Sequence, residues 1–348
     1  RVAEGVLDVV DRAMAEAQLP GADRRRVRSW LLRSKVEHLR GHYAAAQRWA
    51  RIARAGALQH GWSELAARAL LALGAMSWYL GEPRAAEELL VEAEQAAQAL
   101  GARALIGESL QHLGLVALRH GDPSTARGHF VDALEYLGET PQAASCLLGL
   151  GAAGSALEEW EDARTHFERA RELAERVGDT RTAANALNNL ADVARLTGDL
   201  EAAQELFVES WERLEHLGVG TAVVPRFNQA LVLLKQERFE KAEPILHECR
   251  ETFQHQRRLA MVGLTTLGLL PVWASLERWD RWDEDLASGC AKVREAGFSD
   301  ASVPELLEQA GRLALSAGQD ERGYSVIRLA VDHWRGMGRD YEARAAQA

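Results

Sequence analysis

Cysteine is scarce in this chain of 348 residues: Cys146, Cys249 and Cys290 are odd in number, far apart and never arranged as CxxC. That pattern excludes a disulfide framework and a zinc knuckle and makes a reducing, cytoplasmic setting the expectation. Long apolar runs are missing as well. None approaches the roughly 18–20 residues that a membrane-crossing helix needs, and no basic stretch precedes a hydrophobic one near the amino end, so neither membrane nor export is expected. Lysine is nearly absent, with Lys35, Lys235, Lys241 and Lys292 alone among 41 basic residues, and 51 acidic residues bring the net charge to −10. An acidic balance disfavours nucleic acid, whose phosphates need a basic surface to displace their counterions. Also lacking are GxxxxGK[ST], HExxH, GxSxG and the kinase signatures, and no nucleophile, base or metal set is assembled. No enzyme activity, cofactor or metal is expected.

What the chain does have is a period. Turn-like positions recur at Gly41, Gly81, Gly121, Glu158, Gly198, Glu237, Glu277 and Gly318, separated by 40, 40, 37, 40, 39, 40 and 41 residues. Five residues after each stand Ala46, Ala86, Ala126, Ala163, Ala203, Ala242, Trp282 and Gly323, so six of eight are alanine. Nine after each lie mostly large apolar residues such as Phe130, Phe167, Phe207, Leu246 and Ile327, and twelve after come mostly small ones. Seven before lie Ser34, Gly74, Gly114, Gly151, Ala191, Ala230, Leu270 and Gly311, and a second glycine recurs at Gly61, Gly101, Gly138, Gly178, Gly218, Gly297 and Gly338. Each glycine can end a helix in the left-handed conformation. The unit reads as helix A, tight turn, helix B, second turn, without a Val/Ile-rich alternating stretch that would suggest a strand. Small residues at the crossings let antiparallel helices approach to about 8–10 Å, and stacking the pairs makes one continuous apolar core.

These units resemble tetratricopeptide repeats, on Leu73-Gly74 with Gly81 and Ala86, Leu113-Gly114 with Gly121, Ala126, Phe130 and Ala133, and Leu190-Ala191 with Gly198, Ala203 and Phe207. The period near 40 is similar to the longer-helix variant in bacterial signalling proteins, such as maltose-regulator-type activators and serine/threonine kinases with carboxy-terminal repeats. The resemblance implies an all-α, right-handed solenoid of antiparallel helix pairs that serves as a protein–protein interaction scaffold, its partner a protein, a peptide or another domain of the same polypeptide. A second expectation of the same kind is a small-molecule-sensing segment that controls an attached kinase, ATPase or DNA-binding domain.

A single solenoid is expected over 1–348, with repeats at about 22–60, 61–100, 101–138, 139–178, 179–217, 218–257, 258–297 and 298–338. Residues 2–20, with Val6, Val10 and Ala13 before Gly21, read as the orphan helix B of a preceding repeat, and 339–348 as the start of a further helix. A complete array carries polar caps, so these ends suggest a segment of a longer polypeptide.

Several local patterns are candidates. Asn185, Asn188, Asn189 and Asp192, followed by Arg195, recur at offsets of three and four within one helix A and so share a face. Asparagine is a mediocre helix former, and its accumulation in mid-helix calls for a reason. Asn228 repeats the position of Asn189 one unit later, and Gln111 that of Asn188 in the third unit. The resemblance places helix A on the concave groove, where amides grip a peptide backbone because they carry both donor and acceptor. A second candidate is the patch Trp273, Trp279 and Trp282 with Pro271, since proline breaks a helix rule and Trp282 replaces a small crossing residue; it reads as a partner patch, a kink or a repacked unit. A third is the basic helix with Arg24, Arg25, Arg26, Arg28, Arg33, Lys35 and Arg40, which could meet an acidic partner or simply be solvated. Gly149, Gly151 and Gly154 match GxGxxG but fall inside helix A without a preceding strand, which speaks against a dinucleotide turn. His247 and Cys249 point in different directions on a helix and lack further ligands for zinc. Glu158, Glu159, Glu161 and Asp162 read as a solvated face.

Overall fold

The computed structural model describes residues 23–218 and 220–347. The expected orphan helix over 2–20 lies outside them. Among the described residues there are seventeen α-helices and no strand. The chain divides between Ala186 and Leu187 into two compact units. The first holds α1 (Arg24–Leu39), α2 (Tyr43–Gln59), α3 (Ser63–Tyr79), α4 (Pro83–Ala99), α5 (Arg103–Arg119), α6 (Pro123–Leu137), α7 (Pro141–Ala156) and α8 (Trp160–Arg176). Helix α9 (Thr180–Thr197) begins in the first unit and ends in the second. The second continues with α10 (Leu200–His216), α11 (Val223–Lys235), α12 (Phe239–His255), α13 (Leu259–Ser275), α14 (Trp279–Glu295), α15 (Ser302–Ser316), α16 (Asp320–Gly336) and α17 (Asp340–Gln347).

Starts and stops of the helices follow from local chemistry. Pro83, Pro123 and Pro141 sit in the first turn, where the missing N–H costs nothing. The Asp122 and Thr140 side chains accept from the backbone N–H of Thr125 and Ala143, at 3.0 and 3.2 Å. At the other end, Gly81 turns left-handed with φ of 78°, and the next N–H, that of Glu82, returns to the Ser77 carbonyl at 2.9 Å. Glu158, Glu237 and Glu277, the three turn positions without glycine, adopt the same conformation, with φ of 60, 57 and 52°. So does Arg257 at 55°, in the place of the second glycine that this repeat lacks.

The small residues stand where helices cross. A Cβ at Gly74 would lie 2.7 Å from the Leu90 side chain, and one at Gly114 would lie 2.6 Å from Phe130. Leu90 and Phe130 are fully buried. Gly149 and Gly151 face the rings of Phe130 and Phe167 in the same way, so the GxGxxG match marks close helix packing and cradles no phosphate.

One stretch departs from the regular stacking. Elsewhere within a unit a helix B packs against the helix A that follows, as α2 on α3, α4 on α5 or α12 on α13, but α15 packs on α13 instead of on α14. Every residue of α13 from Val262 to Ala274 is consequently buried, Pro271 included, and the helix continues through that proline. Trp282 is buried on α14, and two turns further along that helix Gly289 meets α13 closely, a Cβ there lying 2.7 Å from Leu267. The tryptophan patch is thereby corrected: Trp273 and Trp282 are each 1 % exposed and belong to the second unit's core, and only Trp279 is half-buried, under the Arg322 guanidinium. An apolar ring that a buried helix can cover gains more from burial than from water.

Candidate functional site

Within the second unit the polar residues of α9 meet those of α11. The Asn228 amide donates from Nδ2 to Asn188 Oδ1 at 3.2 Å, and Asn188 Nδ2 donates to Asn189 Oδ1 at 3.2 Å. The three amides form a chain that links neighbouring A helices, and all three are half-buried. One turn on, Arg195 Nε donates to Asp192 Oδ1 at 3.2 Å, and its Nη1 lies 3.9 Å from Glu305 of α15. Burial pushes the Asp192 carboxyl above its ordinary pKa; Arg195 pulls it back and the Asp300 carboxylate pushes it up further.

The sequence candidates thus divide. Asn188, Asn189, Asp192, Arg195 and Asn228 come together in the second unit. Asn185 is half-buried on the part of α9 that belongs to the first unit, and Gln111 is buried on α5, also of the first unit. The basic helix α1 uses much of its charge locally: Arg25 pairs with Asp23 at 2.6 Å, Arg40 with Glu37 at 3.6 Å, and Arg24 and Arg33 lie over Trp62 and Trp49. The Cys249 thiol, raised to about 12 by burial, faces the Val223 carbonyl, whereas His247 accepts from Arg250 at 3.1 Å. Glu159 and Asp162 pair with Arg127 on the surface.

Next to the Asp192–Arg195 pair a cleft of about 510 Å³ opens between α9, α11 and α15. Arg195, Leu231, Lys235, Glu305, Gln309 and Arg312 line it. Lys235 reaches Glu305 at 3.2 Å, and Gln309 Nε2 donates to the Leu234 carbonyl at 2.6 Å, which ties α15 to α11. Lys235, Glu305, Gln309 and Arg312 were missed as candidates, although the period carries a signal for them. Glu305, Gln309 and Arg312 stand thirteen, nine and six residues before Gly318, as Asn185, Asn189 and Asp192 stand before Gly198. The inner face of helix A recurs at these offsets, but charged residues are ordinary on a helix and do not stand out as asparagines in mid-helix do.

Residues 142–215 match the family model of the tetratricopeptide repeat. The chain folds as a tetratricopeptide-repeat array. Three solved structures show how far the likeness extends. A Rap protein complexed with competence and sporulation factor superposes on 97 % of this chain and 93 % of its own, with a TM-score of 0.67 and 12 % identity. The Rap conjugation gene regulator of the plasmid pLS20, in complex with the Phr* peptide, covers 82 % of this chain and 78 % of its own, with a TM-score of 0.60 and 16 % identity. A signal transduction ATPase with numerous domains from Pyrococcus horikoshii, which has a tetratricopeptide repeat sensor, covers 92 % of this chain with a TM-score of 0.67 and 13 % identity. The present chain spans about half of that protein, 51 %. No curated protein matches the tetratricopeptide-repeat chain in sequence. At these identities the likeness is one of fold. No helix among the described residues is long and apolar enough to cross a membrane.

Proposed function

We propose that this tetratricopeptide-repeat array is a non-catalytic interaction scaffold that binds an extended peptide or protein segment along the inner faces of its A helices, as the partner-binding or regulatory segment of a larger bacterial signalling protein in the cytoplasm. The observation that carries the reading is the amide chain Asn228–Asn188–Asn189 beside the cleft of about 510 Å³. An amide in such a chain still has a lone pair or an N–H to spare, so it can receive peptide groups while holding its neighbours in place. Leu231, Leu306 and Leu313 supply apolar contact in the cleft, and Arg195, Lys235 and Glu305 supply charge of both signs. A backbone bound by amides and side chains bound in pockets is a general way to hold an extended segment. The likeness in fold to a regulator whose structure is in complex with a peptide supports it.

The test is capture of a partner or library peptide by the full chain and by a double variant, Asn188→Ala with Asn189→Ala. At least tenfold weaker capture is expected, with unchanged helix content by circular dichroism. Equal capture by both proteins would remove the groove from consideration. A second reading is favoured by the likeness to an ATPase that carries a repeat sensor: a small ligand held between repeats controls an attached domain. A ligand at a hundred times its Kd stabilises the folded state by about 2.7 kcal/mol, so a thermal-shift screen of metabolites separates the two readings.

A further inference from the structure

Between the B helices α2 and α4 of the first unit, with α3 as its floor, lies a groove of about 450 Å³. Its share of α2 runs from Gln47 to Leu58, about 16 Å at the rise of an α-helix. The repeat makes its walls unusual. Fourteen and seventeen residues after Gly41, α2 carries Ala55 and Leu58; four and eight residues after Gly81, α4 carries Ala85 and Leu89; all four line the groove. One repeat later the same places hold Gln95, Gln98, Thr125 and His129. The groove is thus apolar where the next junction is polar. Leu73 is buried on its floor, and Leu58 is 60 % exposed at its edge.

The other end of the groove is polar. Gln47 and Ser77 are both buried, at places where the next repeat has Glu87 and Ala117, and Gln47 Nε2 donates to Ser77 Oγ at 3.2 Å. Arg51 Nη2 donates to Gln47 Oε1 at 3.0 Å. The amide is therefore held from both sides, while the Ser77 hydroxyl and the Arg51 guanidinium keep N–H and O–H groups to donate. Buried polar groups are costly unless bonded, so a Gln–Ser pair where alanine serves in the next repeat calls for a use. Glu82 stands beside Ser77, its backbone N–H bonded to the Ser77 carbonyl at 2.9 Å. Arg51 and Glu82 form no ion pair, whereas Arg54 is paired with Glu92 at 2.6 Å and bridges the two helices. A head group of either charge meets a like charge at this end. An uncharged one that both accepts and donates meets a partner for each function. An apolar cavity of a few hundred Å³ with a few convergent polar groups is the usual form of a small-molecule site.

We propose that this groove binds a small uncharged amphipathic molecule, its aliphatic or aryl body against Leu58, Leu73 and Leu89 and its amide-like head bonded to Ser77, Arg51 and Glu82. The site lies on B helices of the first unit, apart from the amide chain of the second, and rests on neither reading of the function given above.

Leucine methyl signals of the full chain are followed by NMR during titration with octanamide, octanoate and octylammonium. Saturable shifts of the Leu58, Leu73 and Leu89 signals are expected with octanamide, assigned through Leu58→Met, Leu73→Met and Leu89→Met, and at least fivefold weaker binding is expected of the two charged probes. Ala55→Leu and Ala85→Leu fill the groove from opposite walls at accessible positions, and each should weaken octanamide binding at least tenfold with unchanged helix content by circular dichroism. Thr125→Leu, at the place of Ala85 one repeat later, should bind as the parent does. Absence of saturable shifts with all three probes overturns the proposal, as do shifts that both filling variants leave intact. Binding of either charged probe as tight as that of octanamide overturns the assignment of an uncharged head.

Discussion

At the same helix A offsets, α1, α3 and α5 of the first unit and α13 of the second carry opposite chemistry, while α9 and α15 of the second unit stay polar. In the first, α1, α3 and α5 present Lys35, Arg68, Glu108 and His112, side chains that titrate or carry charge. In the second, the corresponding residues of α13 are Leu264, Gly268 and Pro271, all buried, and α15 packs on the same helix with its Gln309 bonded to the Leu234 carbonyl of α11. One period therefore sets where a wall is, and the residues placed on it decide whether it faces solvent or becomes core. An apolar inner helix is covered by its neighbour because burial of each large side chain is worth about 1.5–3 kcal/mol.

That contrast can be broken most forcefully at the tryptophans. Trp273→Ala or Trp282→Ala should destabilise the chain by about 3–5 kcal/mol in urea unfolding, as removal of a buried ring does. A loss under about 1 kcal/mol would mean that α13 and α14 are not packed core.

The first unit is probed by pH. His112 has its pKa lowered to about 4 by burial, with the charge of His38 adding to it, against 6.5 for the free side chain. The unfolded chain therefore takes the proton first, so the stability that His112 confers is full above about pH 6.5 and is lost as the pH falls toward 4. At 1.36 kcal/mol per unit the loss is about 3 kcal/mol. His112→Gln should flatten the stability profile over that window; a profile of unchanged steepness would place the ring in open water.

The turns sharpen the comparison further. Among the described residues, the second unit holds three of the four left-handed residues that are not glycine, Glu237, Arg257 and Glu277, and the first holds Glu158. A side chain in that region costs about 1–2 kcal/mol, partly offset by the extra freedom that glycine gives the unfolded chain. Glu237→Gly and Arg257→Gly should each stabilise by about 1 kcal/mol in thermal melts, and no gain would show that their side chains make compensating contacts. The smallest effect is expected at the rim of the cleft: Lys235→Ala, which breaks a half-exposed pair with Glu305, should change stability by less than about 1 kcal/mol. A larger loss would make the pair a strut between α11 and α15.

Much of the fold was legible. The alternation of Gly114, Ala126, Phe130 and Ala133 is a packing code, and each of these residues stands at a helix crossing or in the core. Even the turns without glycine were legible as places in the period, although no glutamate announces a positive φ. The tryptophan patch was not legible as core, because nothing local to Trp273 or Trp282 states that α13 is buried along its whole length. At the candidate site, offsets of three and four on α9 brought out Asn188, Asn189, Asp192 and Arg195, since that spacing is local. Glu305 and Gln309 lie more than a hundred residues away along the chain and join the same cleft only through the shift of α15.

By itself, the sequence determined the helix pairs, their turns and the side of each helix that faces inward, because propensity, small-residue spacing and periodicity act over a few tens of residues. The tertiary structure alone decided that α15 would leave α14 for α13, closing one wall and shaping a cleft beside it. That choice depends on how side-chain volumes from distant repeats are satisfied together, and no local rule contains that sum.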